Sequence, residues 1–340
     1  MTFGLDGLAP IDGWAMVAIA AKALGYAAAL VAMGGPLFLL AFAFGGGAFS
    51  GGSNGRVARV GTGPRPRSLG AAATEPKSTA TRTQTTPLIA PDVARLVRRL
   101  AAVAALIGLF VLAVRFGIRA ARISGMGVEA MTDPTMLGFV WQSPLGEAAL
   151  WRGVGEALVL ALLIPGIVGL GLASVGAVLI AASYSFVGHS LGDPRWVLAS
   201  LLVVHLLAAA YWVGALMPLR RAARSPYGAA LLHRFGTIAS GTVALLIAVG
   251  ASFAWLLSGS LGGLFGTAYG WTLLAKVAVA AGLLGLAALN KLRLVPALER
   301  GEPGPGNALR RSIAWEAAAV ALILLATATL TTVTTPPVNL

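Results

Sequence analysis

Eight stretches of this chain are apolar over about 20 residues, the length that an α-helix needs to cross the hydrocarbon core of a bilayer. A helix suits that environment because it satisfies its backbone hydrogen bonds within one segment. The charge content agrees, since only 11% of the residues are charged, whereas soluble domains carry about 25%. We therefore predict an all-α integral membrane protein, a single transmembrane domain over residues 1–340. It is expected to form a bundle of about eight transmembrane helices, at residues 14–44, 98–118, 149–169, 171–189, 196–219, 235–258, 270–294 and 311–333.

Two boundaries of these stretches need separate arguments. The third and fourth form one apolar run, which we divide at Pro165-Gly166 and Gly169-Leu170-Gly171, because proline cannot continue a helix and glycine weakens one. Residues 1–14 contain two acids and no basic residue, unlike the basic start of a secretory signal peptide. We expect the first apolar stretch to remain as a membrane helix.

Residues 45–92 differ from the rest of the chain. Glycine, serine, threonine, proline and arginine dominate this segment, so it has too little apolar surface to fold by itself. We predict a disordered cytoplasmic loop.

The basic residues indicate the orientation. The loops after the first, fifth and seventh stretches hold nine, four and five Lys or Arg residues, which is 18 of the 25 in the chain. The opposite side holds five, and Lys22 and Lys276 lie inside predicted helices. Positively charged loops stay in the cytoplasm, so both termini are predicted to face outward (N-out, C-out). This rule also accounts for the net charge of +13, and we expect no nucleic-acid partner.

Ionisable side chains inside membrane spans are costly and commonly functional. With a rise of 1.5 Å per residue, five such residues fall in the outer half, on five different predicted helices: Lys22, Glu156, His189, His205 and Lys276. This layering predicts a polar cavity open to the outer face. In the alternative, structural interpretation, Lys22 and Lys276 extend outward along their helices or pair with Glu156.

Glu316 is the exception, because it lies near the inner ends of the helices, close to Asn290, Arg310 and Arg311. We expect it to form an inner structural clamp. The candidate polar cluster therefore comprises Lys22, Glu156, Lys276, Asn290 and Glu316.

The chain has no cysteine, which excludes disulfides, Cys-ligated zinc, iron–sulfur clusters and thiolate copper sites. His189 and His205 are separated by a short turn, so their helices are expected to be adjacent, and neutral imidazole binds copper, zinc, iron and nickel. They could share one ion or form successive positions on a path. Thioethers suit Cu(I), although methionine is also a common packing residue. The predicted metal ligands are His189, His205, Met16 and Met126.

Five motifs recur in order along the C-terminal half: FVGHS at 186–190, HLLAAAYWVGALMPL at 205–219, HRFGTIASGTVALLIAVGASFAWL at 233–256, YGWTLLAKVAVAAGLLGLAALNKLRLVPAL at 269–298 and LRRSIAWEAAAVALILLATATLTTVTTPP at 309–337. Residues 185–337 thereby resemble the copper-resistance protein D (CopD) family of bacterial inner-membrane proteins. GYAAALVAMGGPLF at 25–38 and LGEAALWRGVGEAL at 145–158 extend the resemblance into the first half.

The resemblance implies a multi-pass protein of the bacterial inner membrane that takes copper from the periplasm toward the cytoplasm. His189, His205, Lys276, Asn290 and Glu316 are the motif positions that it carries. No periplasmic copper-binding domain is fused to the chain, so a separate periplasmic copper-binding protein is an expected partner, besides copper itself and the lipid bilayer.

Copper transport or delivery is the leading hypothesis, and two alternatives come from other classes. The first is a membrane redox protein with histidine-ligated haem; only His189 and His205 are available for it, at unmatched depths, which disfavours haem. The second is a structural or assembly partner that transports nothing. The sequence contains no P-loop or other nucleotide motif, so we expect no nucleotide cofactor, no ATP-driven pumping and no enzymatic activity.

Overall fold

A computed structural model of the chain describes residues 12–43, 89–187, 194–224, 228–258, 261–266 and 268–333. This part of the chain is helical and contains no strand. Short 3-10 turns follow α2, α4 and α5, and a π-helical turn over Asn290–Leu294 follows α9. The helices are α1 Gly13–Ala43, α2 Pro91–Ser124, α3 Pro134–Trp141, α4 Pro144–Val159, α5 Ile167–Ser183, α6 Arg195–Ala222, α7 Gly228–Ser258, α8 Leu261–Gly266, α9 Ala268–Leu289, α10 Val295–Glu299 and α11 Pro305–Val333.

Seven helices of the described part are long and apolar enough to cross a membrane: α1, α2, α5, α6, α7, α9 together with α10, and α11. The third predicted stretch, residues 149–169, corresponds to α4, which has only 16 residues and is not among these seven. Ser143 caps its start, accepting a hydrogen bond from the Leu145 amide. After α4 the chain passes through a 3-10 turn and then Gly166, whose φ of 99° suits glycine alone. The predicted division of the apolar run is confirmed at Pro165-Gly166 and is wrong at Gly169-Leu170-Gly171, which lies inside α5. The prediction of eight spans becomes seven candidates plus this shorter helix.

The predicted loop over 45–92 ends earlier than expected. α2 begins at Pro91, a favoured first position of a helix because its missing amide hydrogen has no partner there in any case. Residues 91–92 are therefore helical, and residues 45–88 lie outside the described residues.

α1 packs against α2, α5, α6 and α11 and so joins the two halves of the chain. Glycine makes its contacts close: a Cβ on Gly34 would collide with the backbone of Ala210 and Gly214 in α6, and one on Gly35 would meet Ala101 of α2. Such small residues permit helices to approach at backbone distance in a bilayer. α1 is thus the helix around which the bundle packs.

We call the end of the bundle where α1 begins and α2 ends the first face, and the opposite end the second face. At the second face, Arg221 at the end of α6 pairs with Asp92 at the start of α2, at 3.3 Å. Toward the first face, Lys22 of α1 donates to the carbonyl oxygen of Thr331 near the end of α11, at 2.8 Å. α5 and α6 also contact each other, as expected from the short connection between them.

Candidate functional site

A column of side chains lies along one side of α6 in the C-terminal half of the bundle. It comprises His205, Trp212, Lys276, Asn290 and Glu316. His205 and Trp212 are seven residues apart, so they lie two turns, or about 10 Å, from each other along the helix. The His205 ring meets Phe253 of α7 edge-on, with ring centroids 6.4 Å apart. Lys276 of α9 is the neighbouring charged group. His205 therefore lies on the side of α6 that packs against α7.

The His205 imidazole keeps one nitrogen unused. Its Nδ1 atom is buried and has no hydrogen-bond partner. Leaving a buried polar atom unpaired costs free energy, and proteins retain such atoms chiefly where a ligand, an ion or a water completes them. Among groups that bind soft or borderline metals, neutral imidazole is the commonest, so this nitrogen is a candidate ligand.

Two turns further along α6, at Trp212, lies the buried carboxylate of Glu316 from α11. Trp212 and Asn290, which follows α9, both donate hydrogen bonds to it. The Trp212 indole Nε1 donates to Glu316 Oε2 of α11 at 3.2 Å, and Asn290 Nδ2 donates to Glu316 Oε1 at 2.5 Å. All three side chains are buried. Asn290 begins the π-helical turn, an irregularity that often marks functional positions. The predicted contact of Glu316 with Asn290 is present, and sequence analysis missed Trp212 as the second donor.

The polar cluster predicted from sequence is divided among three places. Lys22 is bound to the end of α11, donating to Thr331 and also to Thr332 Oγ1 at 3.2 Å. Glu156 lies in α4 and packs against Gly108 of α2. Lys276, Asn290 and Glu316 belong to the C-terminal half. Depth along each helix was predicted from sequence, but the lateral neighbours of each helix were not.

Lys276 and Glu156 do not form the ion pair expected as one alternative, as far as the described residues go. α9 packs against α11, whereas α4 packs against α5 and α2. The two side chains therefore belong to different sets of helices.

The four predicted metal ligands are not brought together. His189 lies outside the described residues, and Met16 and Met126 are 64% and 60% exposed at the first face. Within the described ranges, no group of three or more His, Asp or Glu side chains could hold a metal ion. Of the four, His205 alone is described inside the bundle.

Two family models match the sequence. The model described as "Copper resistance protein D" matches residues 229–330, and the model described as "Copper resistance protein D-like, N-terminal domain" matches residues 11–194. No curated protein and no solved structure matches the chain. Both halves of the chain are thus matched by family models. In the first half the match covers residues 11–194, more than the two short motifs found there. Residues 195–228, which include His205 and Trp212, fall between the two matches.

Proposed function

The chain belongs to the copper resistance protein D family, and from this premise we propose that it transports copper across the bacterial inner membrane, accepting the metal at the periplasmic side. Family membership gives a role in copper resistance or handling, and the seven candidate spans give a multi-pass membrane protein. The route, the direction and the residues on the route are the proposal. It describes a transporter with no enzymatic step.

The observation that carries the proposal is the unpaired Nδ1 atom of His205 inside the bundle. An ion that leaves water for a low-dielectric site needs ligands that replace its hydration, and neutral imidazole does so without adding charge. α6 packs against α7 beside this residue, so an ion bound to Nδ1 would lie at a contact between two helices.

Lys276 limits how tightly His205 could hold a cation. Lys276 neighbours His205, and its ammonium group, when protonated, would repel Cu⁺ at short range. Conduction requires a site that binds strongly enough to admit the ion and weakly enough to release it. We therefore assign Lys276 the role of shortening the time that copper spends on His205.

The first face supplies the capture step. Met16 and Met126 are exposed there, and thioether sulfur is a suitable ligand for Cu(I). His189, which precedes α6 in the sequence, is the third candidate. The positive-inside rule assigns the first face to the periplasm, where a separate copper-binding protein would deliver the ion.

Beyond His205, the carboxylate of Glu316 attracts the ion toward the second face. Glu316 accepts a hydrogen bond from Trp212, which lies about 10 Å from His205 along α6. It is the buried acid of the column. A negative group placed beyond a neutral ligand favours onward movement of a cation.

The test is copper uptake into proteoliposomes that contain the purified chain. His205→Ala should abolish uptake of Cu(I) while the protein still folds and reconstitutes. His233→Ala is the matched control, because His233 is exposed and pairs with Glu299 at 3.0 Å, away from the column. Unchanged uptake in His205→Ala, or a wild-type protein that neither binds nor transports copper, would overturn the proposal.

A further inference from the structure

The N-terminal half contains a second polar site, which the copper route does not use. Between α1, α2 and α4 lies a cavity with room for about one water molecule. Its polar lining consists of Arg115 of α2 together with Arg152 and Glu156 of α4. Gly25, Gly108, Val111 and Leu112 complete the wall.

Glu156 is built into this site. Its side chain is 1% exposed, and its Oε2 atom has no hydrogen-bond partner. A Cβ on Gly108 would overlap the Glu156 carboxyl group, so glycine at that position gives the carboxyl its place against α2. The free oxygen therefore belongs to a fully enclosed carboxyl group that lines the cavity.

The neighbouring arginines do not neutralise Glu156 directly. Arg152 donates from Nε to Ser183 Oγ at 3.1 Å, and its guanidinium carbon lies 3.8 Å from the centroid of the Tyr184 ring. Neither Arg115 nor Arg152 forms an ion pair with Glu156 in the part of the chain that the structure describes. Arginine and carboxylate form strong bidentate pairs when both are free to do so, so this arrangement keeps them apart.

The surroundings of Glu156 stabilise both the protonated and the ionised form of its carboxyl group. An ionised carboxylate without a direct partner is costly in a low-dielectric interior, which favours the protonated form. When the proton leaves, the nearby positive charges stabilise the anion through space. The charged or titratable groups around it are Arg115 of α2, Arg152 of α4 and Tyr184 after α5. Lys22 and Tyr26 of α1 lie further out, beside Arg115.

We propose that Glu156 is an exchangeable proton site, and that its protonation and deprotonation accompany copper transport. On deprotonation the carboxyl O–H bond breaks and its proton passes through the water in the cavity to bulk water; on protonation the same water returns a proton from bulk water to the carboxylate. This inference rests on the proposed function for the second step only, since proton exchange at Glu156 does not depend on copper.

The first experiment detects the proton itself. Infrared difference spectra of the full-length protein, taken between acidic and alkaline pH, should show the C=O stretch of a protonated carboxylic acid in an apolar site. This band should disappear in Glu156→Gln and shift in Glu156→Asp. Glu147→Gln is the control, because Glu147 lies exposed on the same helix. Glu316 is also buried and can contribute its own band, so the Glu156 band is the part of the wild-type signal that Glu156→Gln lacks. A signal of unchanged intensity in Glu156→Gln, or no pH-dependent band in the wild-type protein, overturns the proton site.

The second experiment tests coupling in proteoliposomes loaded with a proton gradient. The gradient should change the rate of Cu(I) uptake by the wild-type protein and by Glu147→Gln, and this dependence should be lost in Glu156→Gln. Gly108→Ala keeps Glu156, but its new methyl group occupies the space of the Glu156 carboxyl group. This substitution should therefore weaken the dependence as well. A Glu156→Gln protein whose uptake still follows the gradient overturns the coupling. If no variant transports copper, the proposed function and the coupling both fail, and the infrared result still decides the proton site.

Discussion

At the residue scale, two buried polar groups of the C-terminal half differ in their hydrogen bonding, Glu316 and His205. Both oxygens of Glu316 receive a donor, from Trp212 and Asn290. Nδ1 of His205 receives none. A fully bonded carboxylate is held in place, whereas an unpaired imidazole nitrogen is free to take a ligand. The difference separates a structural and electrostatic role for Glu316 from a ligand role for His205.

Replacing Trp212 by phenylalanine should test the clamp. The substitution keeps most of the ring packing but removes the Nε1 donor, so the Glu316 Oε2 atom loses its partner. An unsatisfied buried acceptor costs about 1–3 kcal/mol, and we expect the free energy of unfolding in detergent to fall by about this amount. Trp255→Phe is the control, because Trp255 is 65% exposed on α7. Equal effects of the two substitutions would contradict the assigned hydrogen bond.

Sequence analysis found the residues of the column but not all of their partners. The apolar stretches and the helical rise predicted the depth of His205, Lys276 and Glu316, because depth depends on position within one helix. Which helices are neighbours depends on packing between segments far apart in sequence. For that reason Lys276 was paired with Glu156 as one expectation, and the contact of Trp212 with Glu316 was missed.

At the element scale, four helices extend beyond the apolar stretches that predicted them, namely α2, α6, α7 and α11. α2 runs over Pro91–Ser124, whereas the apolar pattern covered 98–118. Hydropathy reports the part of a helix that suits lipid, and the arginine-bearing turns at both ends continue the helix in a polar environment. The opposite happens at α4, where Pro165 and Gly166 end the helical path within an apolar run.

The contact between α1 and α6 leaves little room for a larger side chain, so added volume there should lower the stability of the protein. In Gly34→Ala the new methyl group would meet the backbone of Ala210 and Gly214, and backbone cannot move aside as a flexible side chain can. Overpacking of this kind costs about 1–3 kcal/mol, so we expect a lower melting temperature in detergent. Gly241→Ala on α7 is the matched control, since its Cβ would meet no atom within 4 Å. A Gly34→Ala protein as stable as Gly241→Ala would show that the two helices are less closely packed.

At the scale of the whole molecule, the two polar sites lie in different family-matched segments. Glu156 lies in residues 11–194, and Lys276 and Glu316 lie in residues 229–330. α6, which carries His205 and Trp212, falls between the matches and packs against α1 and α7. Because α1 packs against helices of both segments, a change of packing at one site has a continuous route of contacts to the other. The proposed coupling of proton and copper uses this route.

The orientation of the molecule gives the last prediction, and the absence of cysteine makes it directly testable. Any single introduced cysteine is the sole thiol, so a membrane-impermeant maleimide reports the side on which that residue lies. Glu129 is exposed at the first face, just after α2, and Arg224 is exposed at the second face, after α6. The positive-inside rule assigns the second face, with its concentration of arginines, to the cytoplasm. In intact spheroplasts Glu129→Cys should react, and Arg224→Cys should react only after the membrane is permeabilised. The reverse pattern would invert the topology and, with it, the direction in which copper is proposed to reach His205.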